Sequence, residues 1–149
     1  MRQSGPLWKC DACGRPFANR NQTHSCGRFT VEDFLAGKSS KAVDLYKHFA
    51  AAIELDDVIT APAKTRVGFQ VRMIFASVNR LNDDGLAAHV VLARRLERPR
   101  FTKIESISPR NHVHHFVINH VNEIDDEVKE WLREAHAVGK QDHLVREDR

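Results

Sequence analysis

Residues 58–81, VITAPAKTRVGFQVRMIFASVNRL, decide the fold. Val67, Phe69, Val71, Met73 and Phe75 alternate with Gly68, Gln70, Arg72 and Ile74. A period of two puts the first set on one face of a β-strand and the second set on the other. Asn82-Asp83-Asp84-Gly85 then reads as a turn, and LAAHVVLA (86–93) as the next strand. FTKIESIS (101–108) alternates again, Pro109-Arg110-Asn111 turns, and HVHHFVINH (112–120) supplies a further strand. Consecutive strands on tight turns predict an antiparallel sheet of four or five strands in meander order.

Helical spacing flanks this β region. Ala42, Leu45, Tyr46, Phe49, Ala52 and Ile53 recur on one stripe of a helix predicted over 40–54, capped by Ser39 or Ser40. Ile124, Val128, Trp131, Leu132, Ala135 and Val138 do the same for a helix over 123–138 that Gly139 ends. Between 29 and 40, FTVEDFLAGKSS predicts a connector with one helical turn, started by Thr30 with Asp33 three residues on and stopped at Gly37. Helices covering one face of an antiparallel sheet make an α+β domain. The expected division is a metal-binding module over 1–28, a connector over 29–39, the α+β domain over 40–139 and a polar tail over 140–149.

The module rests on CDACGRPFANRNQTHSC (10–26), which holds all three cysteines of the 149 residues. Cys10 and Cys13 have the spacing of a zinc knuckle, whose turn brings two sulfurs to one ion. His24 and Cys26, two apart, project from the same side of an extended segment and complete a tetrahedral set. Three thiolates and an imidazole close the coordination shell, which predicts structural Zn²⁺ rather than a catalytic ion. Stability argues the same way. Leu7, Trp8, Phe17 and Phe29 are too few to build a core, whereas structural zinc contributes about 10–16 kcal/mol in small finger peptides. A redox C-x-x-C would open a helix in a βαβ context that is absent here, and the second half of the site departs from the H-x3–5-H of a DNA-reading finger.

Composition narrows the function classes. With 42% hydrophobic and 29% charged residues the chain reads as an ordinary folded protein, and no apolar run reaches the ~20 residues of a membrane helix. MRQSGPLWKC lacks the apolar core of a secretory signal, so cytoplasmic residence with reduced thiols is expected, without a disulfide framework. The net charge of +3 is unevenly spread. Residues 1–28 hold five basic groups against Asp11 alone, and residues 64–115 hold ten against four acids, whereas 29–63 and 116–149 are acidic. Two basic blocks separated by acidic ones either form an anion-seeking face or exchange salt bridges on folding.

Residues 8–37, WKCDACGRPFANRNQTHSCGRFTVEDFLAG, resemble the start of bacterial proteins carrying the domain of unknown function numbered 5655. PAKTRVGFQVRMIF, HVVLARRLERPRFTKIESISPRNHVHHF and IDDEVKEWLREAHAVG resemble its body. The resemblance covers nearly the whole chain. It implies one α+β domain, in a subgroup with an N-terminal zinc-ribbon-like Cys/His extension, and it brings no catalytic residues.

Two constellations could carry chemistry in the α+β domain. Lys64, Arg66, Arg72, Arg94, Arg95, Arg98, Arg100 and Lys103 are cations suited to phosphate or carboxylate, or else are paired with Glu97, Glu105 and the acidic last helix. His112 and His114 share a strand face and could bind a metal, although no carboxylate or thiol completes a set; a histidine on an apolar face is more often a hydrogen-bonded core residue. Hydrolase, metalloprotease and phosphate-loop motifs are absent, and zinc would occupy every thiol. The expected function is therefore a non-enzymatic binding or adaptor protein whose basic face contacts nucleic acid or a protein partner. The alternative is an anionic-ligand or enzymatic pocket near Lys64, Arg66, Arg72 and His114, with Arg94 and Arg95 as further anion ligands. A third reading makes the zinc module a lid that stabilises the domain or its self-association.

Overall fold

A computed structural model describes residues 7–11, 13, 15–17, 28–53 and 57–141. Strands β1 (Trp8–Lys9) and β2 (Pro16–Phe17) pair as a short antiparallel hairpin. Helices α1 (Val31–Leu35) and α2 (Ser40–Ile53) follow. A six-stranded sheet comes next, from β3 (Ile59–Pro62), β4 (Val67–Gln70), β5 (Ile74–Asn82), β6 (Gly85–Leu92), β7 (Lys103–Ser108) and β8 (Asn111–Ile118). A 3-10 turn (Val121–Glu123) leads into α3 (Asp126–Gly139). Every strand pair is antiparallel, and the order is β3-β4-β5-β6-β8-β7.

The α+β class is as expected, with two corrections to the sheet. It has six strands, because the long alternating run breaks at Val71–Met73 into β4 and β5, and because β3 forms ahead of it. The break has a tertiary cause. The backbone N–H groups of Arg72 and Met73 donate to the Gly139 carbonyl at 3.2 and 3.0 Å, satisfying an oxygen that the end of α3 leaves without an intrahelical partner. Nor is the sheet a simple meander. The segment 93–102 carries the chain past the place of β8, so that β7 lies at the edge and β8 beside β6.

Both long helices pack on one face. Phe49 of α2 meets Phe69 and Phe116 with ring centroids 6.3 Å from each, and Trp131 of α3 lies 5.3 Å from Phe116 and 4.3 Å from Phe101. Leu86, Ala88, Val90 and Leu92 of β6 complete this core, which alternation alone assigns to one side. Each fully buried Phe or Leu contributes roughly 1.5–3 kcal/mol relative to exposure. The turn at 31–35 belongs to the same core. Phe34 is buried 6.1 Å from the Tyr46 ring, and Thr30 and Asp33 form the expected capping box.

Gly37, at φ +77°, ends α1 as its position implied. Gly139 serves differently. Its backbone is not left-handed; a Cβ there would lie 2.9 Å from the Phe75 Cβ, so glycine is required by close approach of α3 to β5. The residue with positive φ at this end is Gln141, at 65°.

Candidate functional site

Register places a second set of side chains on the sheet face away from the helices. The pairs Gly68↔Ser77, Ser77↔His89, His89↔His115 and His115↔Lys103 form one row, and Arg80↔Ala87↔Val117 form another. Near the centre, Asn79 Nδ2 donates to His89 Nδ1 at 2.8 Å, and the His89 and His115 rings meet edge to face at 5.4 Å. Glu105 Oε1 receives His115 Nε2 at 2.8 Å, while its other oxygen lies 3.4 Å from Lys103 Nζ.

The electrostatics of this cluster are cationic. Burial pushes the His89 imidazole down to about 4, helped by the charges of His115 and Arg66 and opposed by Glu105. His89 is therefore neutral at pH 7. Hydrogen bonds from His115 and Lys103 hold the Glu105 carboxyl below its usual range. Arg66 and Arg80 are exposed and have no carboxylate or hydrogen-bond partner among the described residues, nor does Lys64 at the β3–β4 turn. Asn79, His89 and Glu105 were missed in the sequence because only strand register joins them. The usable signal was that Asn79, His89 and His115 all fall on the outward phase of their strands.

The residues expected to form one pocket are not brought together. His114 is wholly buried on the helix face, opposite Arg66. Its Nε2 accepts from the Leu96 N–H at 2.9 Å, and its Nδ1 lies 2.9 Å from the His112 carbonyl. Burial pushes its pKa down, and with both nitrogens satisfied it is a core residue that pins the β6–β7 connection. His112 is likewise engaged, by Ser106 and by the Pro109 carbonyl, so the His112–His114 pair has no free ring nitrogen for a metal. Among the described residues no group of three or more His, Cys, Asp or Glu is placed to hold an ion. Arg72 donates to Gln141 at 2.7 Å at the far end of the sheet. Arg94 grips Glu134 through two bonds of 2.9 and 3.0 Å, and Arg95 meets Glu97 at 2.5 Å. Arg100 bonds both oxygens of Asp125 and lies over Trp131. Much of the basic middle segment is therefore spent on internal pairs, as the salt-bridge alternative held.

Of the expected metal ligands, Cys10 and Cys13 are described; His24 and Cys26 lie outside the described residues. Cys10 N–H donates to the Arg15 carbonyl at 3.0 Å, next to the Lys9↔Pro16 pair of the hairpin. Cys10 is buried and Cys13 exposed. The hairpin is fixed to the outer sheet face. Arg15 Nε donates to Gln70 Oε1 at 2.7 Å, and Gln70 Nε2 donates to the Pro16 carbonyl at 2.5 Å, so a side chain 1% exposed has both ends bonded. A cavity of about 360 Å³ is lined by Cys13, Arg15 and Pro16 on one side and by Phe29 and Ile59–Pro62 on the other.

These features define a small α+β protein whose antiparallel sheet is covered by helices on one face and carries a basic, histidine-bearing surface on the other. No helix among the described residues is long and apolar enough to cross a membrane. The family model for the domain of unknown function DUF5655 matches residues 31–139, and the chain belongs to that family. The match begins at the first residue of α1, in keeping with the burial of Phe34 in the main core. No curated protein and no solved structure shows significant similarity to the chain.

Proposed function

We propose that this is a non-enzymatic binding protein, resident in the cytoplasm, whose outer sheet face takes the backbone of a single-stranded nucleic acid. Zn²⁺ on Cys10, Cys13, His24 and Cys26 staples the N-terminal hairpin beside that face. One observation carries the reading: Arg66 and Arg80 extend from the outer face with no acidic partner among the described residues, while Arg94, Arg95 and Arg100 are neutralised elsewhere. Guanidinium groups pair with phosphates bidentately, and a positively charged face can track the backbone of a flexible strand. The hairpin adds Arg15 at one end of the face, and zinc suits its short strands, which have little core of their own.

Retention of a fluorescent oligonucleotide against salt tests this. Three phosphate contacts, from Lys64, Arg66 and Arg80, give a slope of log K against log salt of about −2 for a single strand, or about twentyfold weaker binding at fourfold higher salt. Arg66→Gln with Arg80→Gln should flatten the slope to under half. Absence of binding at low ionic strength sinks the reading.

A further inference from the structure

We propose that the segment 142–149 of this chain, seated through Leu144, covers an apolar groove at the end of the sheet where α3 stops. The groove is a cavity of about 560 Å³ whose apolar wall comprises Met73, Ile74, Val91, Ile107, Val113 and Val138. Val91↔Val113 is the outer-face pair next to His89↔His115, on the side of the sheet that α2 and the body of α3 do not cover. Among the described residues, three of the five large apolar side chains that stand exposed gather here: Met73, Ile74 and Ile107, the last 69% exposed. Apolar side chains scattered singly over a surface need no account, but a concave cluster of them gains about 25 cal/mol for each Å² removed from water.

The occupant follows from where the chain goes next. Gln141 lines the groove, and its side chain is tied there by a 2.7 Å bond from Arg72 Nε. Its left-handed φ of 65°, with its N–H on the Val138 carbonyl at 2.8 Å, turns the chain off the α3 axis at the groove wall. The sequence then continues DHLVREDR (142–149). Leu144 comes three residues on, a reach of up to about 10 Å, and with Val145 it supplies the large apolar residues of that segment. The tether makes docking intramolecular, at an effective concentration of roughly millimolar, so a contact too weak for a free peptide is populated. Charge runs the same way. The lining carries one charged side chain, Arg110, and no acid, whereas the segment carries Asp142, Glu147 and Asp148 against two arginines. This contact is independent of nucleic-acid binding and stands or falls without it.

Methyl NMR on the full chain tests the seat. Cross-peaks should join the Leu144 methyls to those of Ile74 and Ile107, and should vanish under an isotope filter that passes only contacts between chains. In Leu144→Asp the Ile74, Val91 and Val113 methyl resonances should move, and the fluorescence of an added apolar dye, anilinonaphthalene sulfonate, should rise severalfold while far-ultraviolet dichroism is unchanged. Ile107→Glu, at a side chain already exposed, should shift the Leu144 methyls in turn. Absent cross-peaks, or groove methyls identical in wild type and Leu144→Asp, overturn the proposal. Cross-peaks that survive the filter also overturn it and make the occupant a second copy. Equal dye fluorescence in wild type and variant overturns it too, because the groove is then open to an external apolar ligand. Should Leu144→Asp fail to fold, the wild-type cross-peaks and Ile107→Glu decide.

Discussion

Acidification should destabilise this protein through one identifiable imidazole. The His89 ring has its pKa lowered from 6.5 to about 4, chiefly by burial and then by the charges of His115 and Arg66. In the unfolded chain the same ring takes up a proton near pH 6.5. Between these values the unfolded state binds more protons than the folded one, so stability falls as pH falls. The loss begins near pH 6.5, grows at about 1.4 kcal/mol per pH unit, and levels off once the folded ring itself protonates near 4. Roughly 3 kcal/mol is the ceiling, a large part of the 5–15 kcal/mol of a typical domain. Burial also pushes His114 down, and Asp57 and Asp125 lose hydrogen-bonded stabilisation on protonation. Those contributions are common to wild type and His89→Gln. Urea unfolding followed by Trp131 fluorescence at a series of pH values should therefore give curves that converge or cross as pH drops, with wild type losing about 3 kcal/mol more than the variant between pH 7 and pH 4. Parallel curves would show that the ring is charged in the fold or protonates without penalty, and would refute the assignment of its neutral state.

Two further perturbations separate packing from surface pairing. Gly139→Ala sets a Cβ 2.9 Å from the Phe75 Cβ and 3.2 Å from the Met73 carbonyl, neither at the end of a flexible side chain. It should lower unfolding free energy by about 1–3 kcal/mol in urea titration. Arg94→Ala removes a pair whose partners are largely solvated, and should cost under about 1 kcal/mol and leave oligonucleotide retention unchanged. For the hairpin, elemental analysis should return one zinc per chain. Chelation should shift Trp8 fluorescence while far-ultraviolet dichroism from the family domain persists, and a metal-free native protein would count against the staple.

The helices were legible because their signals are local. Thr30 with Asp33, Ser39 ahead of α2, and the apolar stripes of α2 and α3 all act within a few residues. The sheet was legible only in outline. Val71, Met73 and Phe75 keep the alternation running across a break that Gly139, over sixty residues away, imposes through its carbonyl. β3 is four residues long and ends in Pro62, which gives little periodic signal at an edge. The exchange of β7 and β8 goes with a connection held by the Leu96 N–H on His114, a contact no local pattern encodes. The same holds for the site. Arg66 was visible as a cation, but Asn79, His89, His115 and Glu105 meet only through register between β5, β6, β8 and β7. Arg94 and Arg95 looked equally available in sequence, and the fold pairs them with Glu134 and Glu97.

Backbone amide chemical-shift mapping with a single-stranded oligonucleotide at low salt addresses the binding face most directly. Perturbations should concentrate on residues around Arg66, Arg80, His89 and His115 and reverse as salt is raised. Shifts confined to α2 and α3, or none at all, would contradict a nucleic-acid-binding sheet face.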